Sequence, residues 1–399
     1  MLQLEEARAR IFTAITAALS PENVPLIDTA SRILSQDLVA PIDLPLFDNS
    51  AMDGYAVRCE DVKSASDKQP VSLKISAHVP AGSQALTAIK PGECARVFTG
   101  SPLPAGTDAV VMQEDMRVEG SVVTLHEAPK PWENVRFRGE DVKAGTVVLR
   151  KGERISVGAI GLAGALGIAS ISVHRQPIVG VLATGDELQE AGEPLRAGHI
   201  YESNRAMLAT IIRNAGGQPR VFPLVPDTLE STRTALQNAM GECDVVITSG
   251  GVSVGELDFI KAAFEKLSGT LDFWRVAIRP GKPFLFGILN GKHLFGLPGN
   301  PVSAFVTALL LVRPALLRLQ AATDVELPSH LAIAAESFVN KGDRRHFMRV
   351  RVDNDGHVHL AGVQASHAVG SLSAANALVD VPPHAVIEAG RQVRVLRFA

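Results

Sequence analysis

Asp244-Val245-Val246-Ile247-Thr248-Ser249-Gly250-Gly251 is the stretch on which the fold turns. Its β-branched apolar run predicts a buried strand, and its ending in hydroxyls and two glycines predicts a loop whose backbone N–H groups can approach an anion. Upstream, Ile178 to Leu182 is a second apolar run. A helix from about Asn204 to Ala215, ended by Gly216-Gly217, follows it, then an extended Arg220 to Val225 and a helix near Leu229 to Met240. Strands alternating with helices predict right-handed βαβ units around a parallel sheet covered on both faces. Around Asn290-Gly291 two apolar runs flank a two-residue turn, a hairpin signal; Val302 to Leu319 reads as a closing helix, and Pro328 marks the exit.

Outward from this unit the pattern changes. Ile11, Ile15 and Leu19 share one helical stripe in Leu4 to Leu19, Pro21 stops it, and a second helix near Thr29 to Leu38 would complete a helical hairpin. From Pro41 to Asp141 short β-like runs such as Val71 to Ile75 and Val110 to Gln113 alternate with Pro and Gly turns. The glycine-spaced helical segment Ile155 to Gly167 then returns, so the β region reads as an insertion in a split helical domain. Alternating runs such as Met348 to Val352, with an Asp355-Gly356 turn, predict a small β domain at the end. The expected division is residues 1–43 with 142–173, 44–141, 174–325 and 326–399, consistent with about two to four domains for this length.

Hydrophobic residues make up 46% and charged residues 20% of the 399, an ordinary globular balance. A formal charge of −3 provides no basic field for nucleic acid or an acidic membrane, so an anionic ligand has to be held locally. Cys59, Cys94 and Cys243 are scattered without CxxC spacing, which argues against disulfides or structural zinc and for a reducing cytoplasm. Met1 to Phe12 mixes Glu5, Glu6, Arg8 and Arg10 among apolar residues, unlike a signal peptide. Ile155 to Val173 is uncharged, but its glycines, serines and marginal length argue against a membrane span.

No G-x-x-x-x-G-K-[ST] motif occurs, and no G-x-G-x-x-G joins a strand to a helix, which disfavours P-loop enzymes and dehydrogenases. Instead, acids follow three expected strand ends: Asp186 and Glu187 in Thr-Gly-Asp-Glu, Asp227 after Val225-Pro226, and Asp258 beyond Thr-Ser-Gly-Gly. In a parallel sheet those ends share the ligand-binding edge. Carboxylates gathered there without His or Cys suit Mg²⁺ rather than Zn²⁺; each acid alone reads equally as a helix cap or solvated charge. Ser249, Gly250 and Gly251 form the candidate phosphate cradle, or a tight turn. Arg279-Pro280-Gly281-Lys282-Pro283 carries two cations on a proline-stiffened turn suited to a tetrahedral oxyanion, with Arg275 as a third charge; exposed solvated charges are the plainer alternative. Leu297-Pro298-Gly299-Asn300-Pro301 shapes a pocket wall or caps a helix. Asp53 and Asp141 sit beside glycines in the inserted domain, where physics alone assigns them no role.

Ser50-Ala51-Met52-Asp53-Gly54-Tyr55-Ala56, Phe98-Thr99-Gly100, Arg138-Gly139-Glu140-Asp141, Thr184 to Leu188, Thr248 to Gly255, Pro280 to Pro283 and Gly296 to Ser303 occur in one order. Over nearly its whole length the chain thereby resembles the MoeA family, the molybdopterin molybdenumtransferases, which include the E domain of gephyrin. The resemblance implies a multidomain α/β plus β fold: a helical domain with an inserted mostly-β domain, a parallel-sheet α/β domain of the molybdopterin-binding (MogA-like) type, and a C-terminal small β-barrel-like domain. It implies a homodimer whose site lies between the α/β domain of one subunit and the β insertion of the other. The implied reaction inserts molybdate into adenylylated molybdopterin with release of AMP, using Mg²⁺. Functional positions carried over are Asp53, Thr99, Asp141, Glu187, Asp227, Asp258, Pro298 and Pro301, with Glu187, Asp227 and Asp258 on the metal. Arg279, Lys282, Arg349 and Ser366 would form the oxyanion pocket. Arg275 and Arg279 stand where relatives have lysines, keeping charge but changing donor geometry. The pathway's pterin adenylyltransferase is the implied hand-over partner. Rival readings are a magnesium-dependent nucleotide pyrophosphatase or that adenylyltransferase itself, and a non-catalytic dimeric scaffold.

Overall fold

The computed structural model describes residues 1–84, 88–252 and 259–398. Its organising element is the strand Val245–Ser249, buried at every position. It pairs in parallel with Ile178–Ala183 on one side and Lys292–Leu297 on the other. Gln218–Val221 extends the parallel part, while Leu285–Leu289 and Thr270–Trp274 add antiparallel strands beyond Lys292–Leu297. The sheet is therefore mixed: parallel where the βαβ rhythm predicts it and closed by the expected hairpin, with Asn290 and Gly291 at φ 51° and 76°.

Alternation along these strands feeds two cores. Val179, Val181, Val245, Ile247, Phe295 and Leu297 face one cluster, which holds Leu208, Ile211 and Ile212 of the helix Asn204–Asn214. Leu182, Val246 and Leu294 face the other, with Leu236 and Met240 of Leu229–Glu242 and Phe264 of Ile260–Lys266. Asp244 fixes the register where the strand begins: it accepts 2.7 Å bonds from both Arg175 Nη atoms and a 2.8 Å bond from Ile178 N. Burial pushes its carboxyl up, yet those bonds and the Arg175 charge hold it below the usual carboxylate range.

The opening helical hairpin is not formed. The first helix spans Leu4–Ala14 and stops short of Leu19. Its buried stripe, Leu4, Ala7 and Ile11, belongs to the α/β core, packed near the segment from Val302 to Leu319. Thr29 to Leu38 is not a helix. After one 3₁₀ turn, Leu26–Asp28, its backbone bridges Ile33 to Arg154 and Leu34 to Val173. Neighbouring buried side chains at Ile33 and Leu34 suit extended pairing better than a helical stripe, and tertiary pairing overrides local propensity. Ile155 to Val173 divides into the helix Val157–Ala165, capped by Ser156, and the strand Ser170–His174. A helical run long and apolar enough to cross a membrane is Pro301–Leu319, with 83% of its apolar window buried in the protein and a π-turn at Ala308–Val312.

The β insertion is a six-stranded sheet containing Gly54–Val57, Val71–Val79 and Glu93–Val97. At the C-terminus Arg345–Val352 pairs with both His357–Leu360 and Ala377–Val381, closing a small barrel with Ser329–Ala334 and Gln392–Arg397. A two-residue strand from the α/β unit, Ile278–Arg279, joins this barrel in parallel with Arg345-His346. Ile11 is fully buried in the α/β core although it lies 167 residues before Ile178. Ile11→Ala is expected to lower the unfolding free energy by roughly 2–4 kcal/mol, measured by urea denaturation.

Candidate active site

The carboxyl ends of the parallel strands open into a cavity of about 630 Å³, where open α/β sheets bind ligands. After Ile178–Ala183 the chain turns through Gly185 at φ 151°. A Cβ at that residue would stand 2.6 Å from Glu187 Oε2, so glycine lets the Glu187 carboxylate fold back over the turn. Asp186 and Asp227 cap each other's backbone: Asp227 N donates to Asp186 Oδ1 at 3.0 Å and Asp186 N to Asp227 Oδ2 at 3.3 Å. Glu187 and Asp227 both line the cavity, so acids from two of the three predicted strand ends converge. Asp258 lies outside the described residues. Among the described residues no group of three or more His, Cys, Asp or Glu side chains has the geometry of a metal cage. Glu187 and Asp227 nonetheless offer only hard oxygen donors, a set that fits Mg²⁺, an ion that keeps waters and takes phosphate oxygens alongside one or two carboxylates.

Ser249, Gly250 and Gly251 line the cavity next to this loop. Gly250, at φ 89°, lies so close to the first loop that a Cβ there would be 2.7 Å from Thr184 O. Pro298 and Pro301 also line the cavity, with Pro301 starting the helix Pro301–Thr307 at its favoured first position. Asn204 and Thr184 line it too, each with a buried oxygen that has no partner, Oδ1 and Oγ1. The sequence signalled Asn204 only as a helix start.

The cationic turn is placed differently from its acids. Pro283 reaches the cavity, while Arg279 and Lys282 are exposed and do not line it. Arg275 stacks its guanidinium over Trp274 at 4.3 Å, an attractive cation–π contact that occupies one face of the group. Arg349 is wholly buried. Its Nε donates to Ser371 Oγ at 2.8 Å and its Nη2 to Val363 O at 2.7 Å and Ala365 O at 3.3 Å, while Nη1 has no partner. It thereby pins the loop carrying Ser366, whose carbonyl accepts Val302 N at 3.1 Å, and His367, which lines the cavity. Burial, then the Arg279 charge, pulls Arg349 down to about 10. His346 is buried with neither ring nitrogen partnered; burial first, then Arg279, Arg349 and Arg344, lower it to about 4. Arg344 and His346 thus extend the predicted cluster; the basic run Arg344-Arg345-His346 was their signal in the sequence.

The β-insertion residues form their own unit. Asp53 Oδ1 accepts Thr99 N at 2.8 Å and Thr99 Oγ1 at 2.9 Å, bonds that hold the carboxyl below its ordinary range. Asp141 is exposed and its N–H bonds Leu44 O. None of Asp53, Thr99 and Asp141 lines the cavity of the same chain.

Residues 2–167 match the MoeA N-terminal region (domain I and II), 180–318 the probable molybdopterin binding domain, and 332–398 the MoeA C-terminal region (domain IV). Over 385 residues, 95% of this chain and 94% of the other, it is 39% identical to the molybdopterin molybdenumtransferase of Haemophilus influenzae. This chain belongs to the MoeA family. It is also 37% identical over 395 residues to molybdopterin molybdenumtransferase 2 of Mycobacterium tuberculosis, covering 97% of each chain. Its fold superposes on the molybdopterin biosynthesis MoeA protein of Pyrococcus horikoshii OT3 with a TM-score of 0.87, at 32% identity and with 100% of each chain covered.

In this MoeA chain the basic cluster makes stability depend on acid. The folded protein keeps His346 neutral down to about pH 4, whereas an unfolded histidine takes up its proton near 6.5. The stability contributed by the neutral ring is fully present above pH 6.5 and is lost as pH falls toward 4. His346→Asn is expected to flatten the pH dependence across that window, read from urea midpoints at successive pH values.

Proposed function

We propose that this chain is a molybdopterin molybdenumtransferase, which inserts molybdate into adenylylated molybdopterin and releases AMP. The observation that carries this reading is the meeting of two unlike surfaces at one sheet edge. Glu187 and Asp227 line a cavity together with His367, whose loop is pinned by buried Arg349 within a cationic cluster. Carboxylates that would hold Mg²⁺ and a glycine-lined turn suit a phosphoanhydride, and the cluster suits a tetrahedral oxyanion. The curated names of the relatives support the same assignment.

The backbone of the Gly250-Gly251 turn would hold the phosphate, with the Ser249 hydroxyl beside it facing Asn204, and Pro298 and Pro301 would wall the pterin side. Arg279, Lys282, Arg349 and Ser366 would seat molybdate, with Arg275 adding charge nearby. Arg349 acts mainly by fixing the Ser366 loop, with one Nη1 left to give. As the two dithiolene thiols bond to molybdenum, their two protons leave with one oxo oxygen as water, and a second water cleaves the phosphoanhydride to leave AMP and the pterin phosphate, which makes the exchange irreversible. Glu187, Asp227 and Asp258 would hold Mg²⁺, which when bound neutralises charge developing on the phosphoanhydride oxygens.

Asp53, Thr99 and Asp141 enter this scheme from a second subunit. Their position away from the cavity of their own chain is the reason to propose a homodimer with composite sites, each between the α/β domain of one copy and the β insertion of the other. Cytoplasmic residence and hand-over of the pterin by the pathway's adenylyltransferase complete the proposal.

Incubating the protein with adenylylated pterin, Mg²⁺ and molybdate, and scoring AMP with metal-loaded pterin, tests the assignment. Both products are expected, and AMP without molybdenum incorporation would instead mark a hydrolase. Asp227→Asn should slow AMP release by roughly a hundredfold or more, with an unchanged circular dichroism spectrum. Co-expressing Asp53→Asn and Asp227→Asn chains should recover roughly a quarter of wild-type activity through mixed dimers with one intact site. No recovery would count against the composite site.

A further inference from the structure

Asn204 has a side chain whose two ends are in opposite states. The residue is 7% exposed at the start of the helix Asn204–Asn214. One end donates to Gly299 O at 2.7 Å and to Ser249 Oγ at 2.7 Å. A carbonyl can only accept, so this end is Nδ2, and both of its hydrogens are used. Ser249 Oγ accepts in that contact and so retains its own hydrogen to donate. The other end, Oδ1, is buried and has no partner, although Asn204 lines the cavity. An unpaired buried carbonyl oxygen is destabilising and uncommon, and here it stands beside a hydroxyl poised to give.

The pairing is held from behind by a buried ionic scaffold. Glu202 Oε1 accepts Asn204 N at 2.6 Å and Arg205 N at 2.9 Å. Arg205 Nε returns to Glu202 Oε2 at 2.9 Å, its Nη2 binds Glu190 at 2.6 Å and its Nη1 binds Phe222 O at 2.8 Å. The amide therefore has one orientation, with its acceptor left over.

We infer that Asn204 is the specificity-determining residue of this cavity, reading an amidine edge on a heterocycle. Oδ1 accepts from an exocyclic amine while the Ser249 hydroxyl donates to the adjacent ring nitrogen. The inference rests on the reading that the cavity takes an adenylylated pterin. Such a ligand carries the edge twice, as the 2-amino group beside N1 in the pterin and the 6-amino group beside a ring nitrogen in adenine.

Calorimetric titration of the full chain with two probe pairs tests it: AMP against purine riboside 5′-monophosphate, and neopterin against its 2-deamino analogue. In the wild type one pair is expected to show a preference of roughly tenfold or more for the amine-bearing member, and the pair that responds identifies which end is read. Asn204→Ala should bind both members of that pair equally. Ser249→Ala should weaken both members together and keep the preference, because the ring nitrogen is common to them. If Asn204→Ala does not fold, Asn204→Ser is measured in its place. Equal binding within both pairs by the wild type, or a preference that survives in the Asn204 variant, overturns the inference while leaving the cavity assignment standing. Failure of the wild type to bind either AMP or neopterin overturns both.

Discussion

The parallel ladder of Val245–Ser249 with Ile178–Ala183 and Lys292–Leu297 is the constraint on which the rest depends. Parallel strands carry their ends to one edge, so Thr184, Ser249 and Leu297 finish side by side, and the loops beyond them have to share one space. The Arg175–Asp244 pair at the opposite end sets the register that makes those ends coincide. A slip of one residue would turn the inward set Val245 and Ile247 to the other core and separate the loops.

From that edge outward, the site is built by satisfying some polar groups and withholding partners from others. Asp186 and Asp227 satisfy one another's backbone, which stiffens both loops. Arg349 spends three hydrogen bonds on the loop from Val363 to Ser371 and keeps Nη1 unpartnered. A buried guanidinium with like charges nearby is destabilising in isolation, so the folded chain stores there a demand for negative charge.

Much of this was legible in the sequence because it depends on local rules. The alternation of apolar runs with helix signals gave the α/β unit, and Asn290-Gly291 gave its hairpin. A Cβ at Gly185 would strike the Glu187 carboxylate and one at Gly250 the Thr184 carbonyl, so glycine at these positions is what lets the neighbouring acid and hydroxyl reach the cavity. What was hidden depends on distant partners. The stripe of Ile11, Ile15 and Leu19 announced a helix, but not that it would end at Ala14 or that its buried face, Leu4, Ala7 and Ile11, would join the α/β core. Ile33-Leu34 looked helical until the strands bridging them were in place. Asn204 and His346 are ordinary residues by type, and only the tertiary arrangement shows that Asn204 Oδ1 and both His346 ring nitrogens are buried without partners.

The short strand Ile278–Arg279 has one further consequence. It leaves the α/β unit to lie along the terminal barrel, and Arg344 clasps it by donating to Ile278 O at 2.8 Å. The cationic turn is thus attached at its root to both bodies, like a hinge pin passing through two plates. Any rocking of the barrel has to carry Arg279 with it, so the placement of the turn's cations and the attitude of the last domain are a single mechanical coordinate.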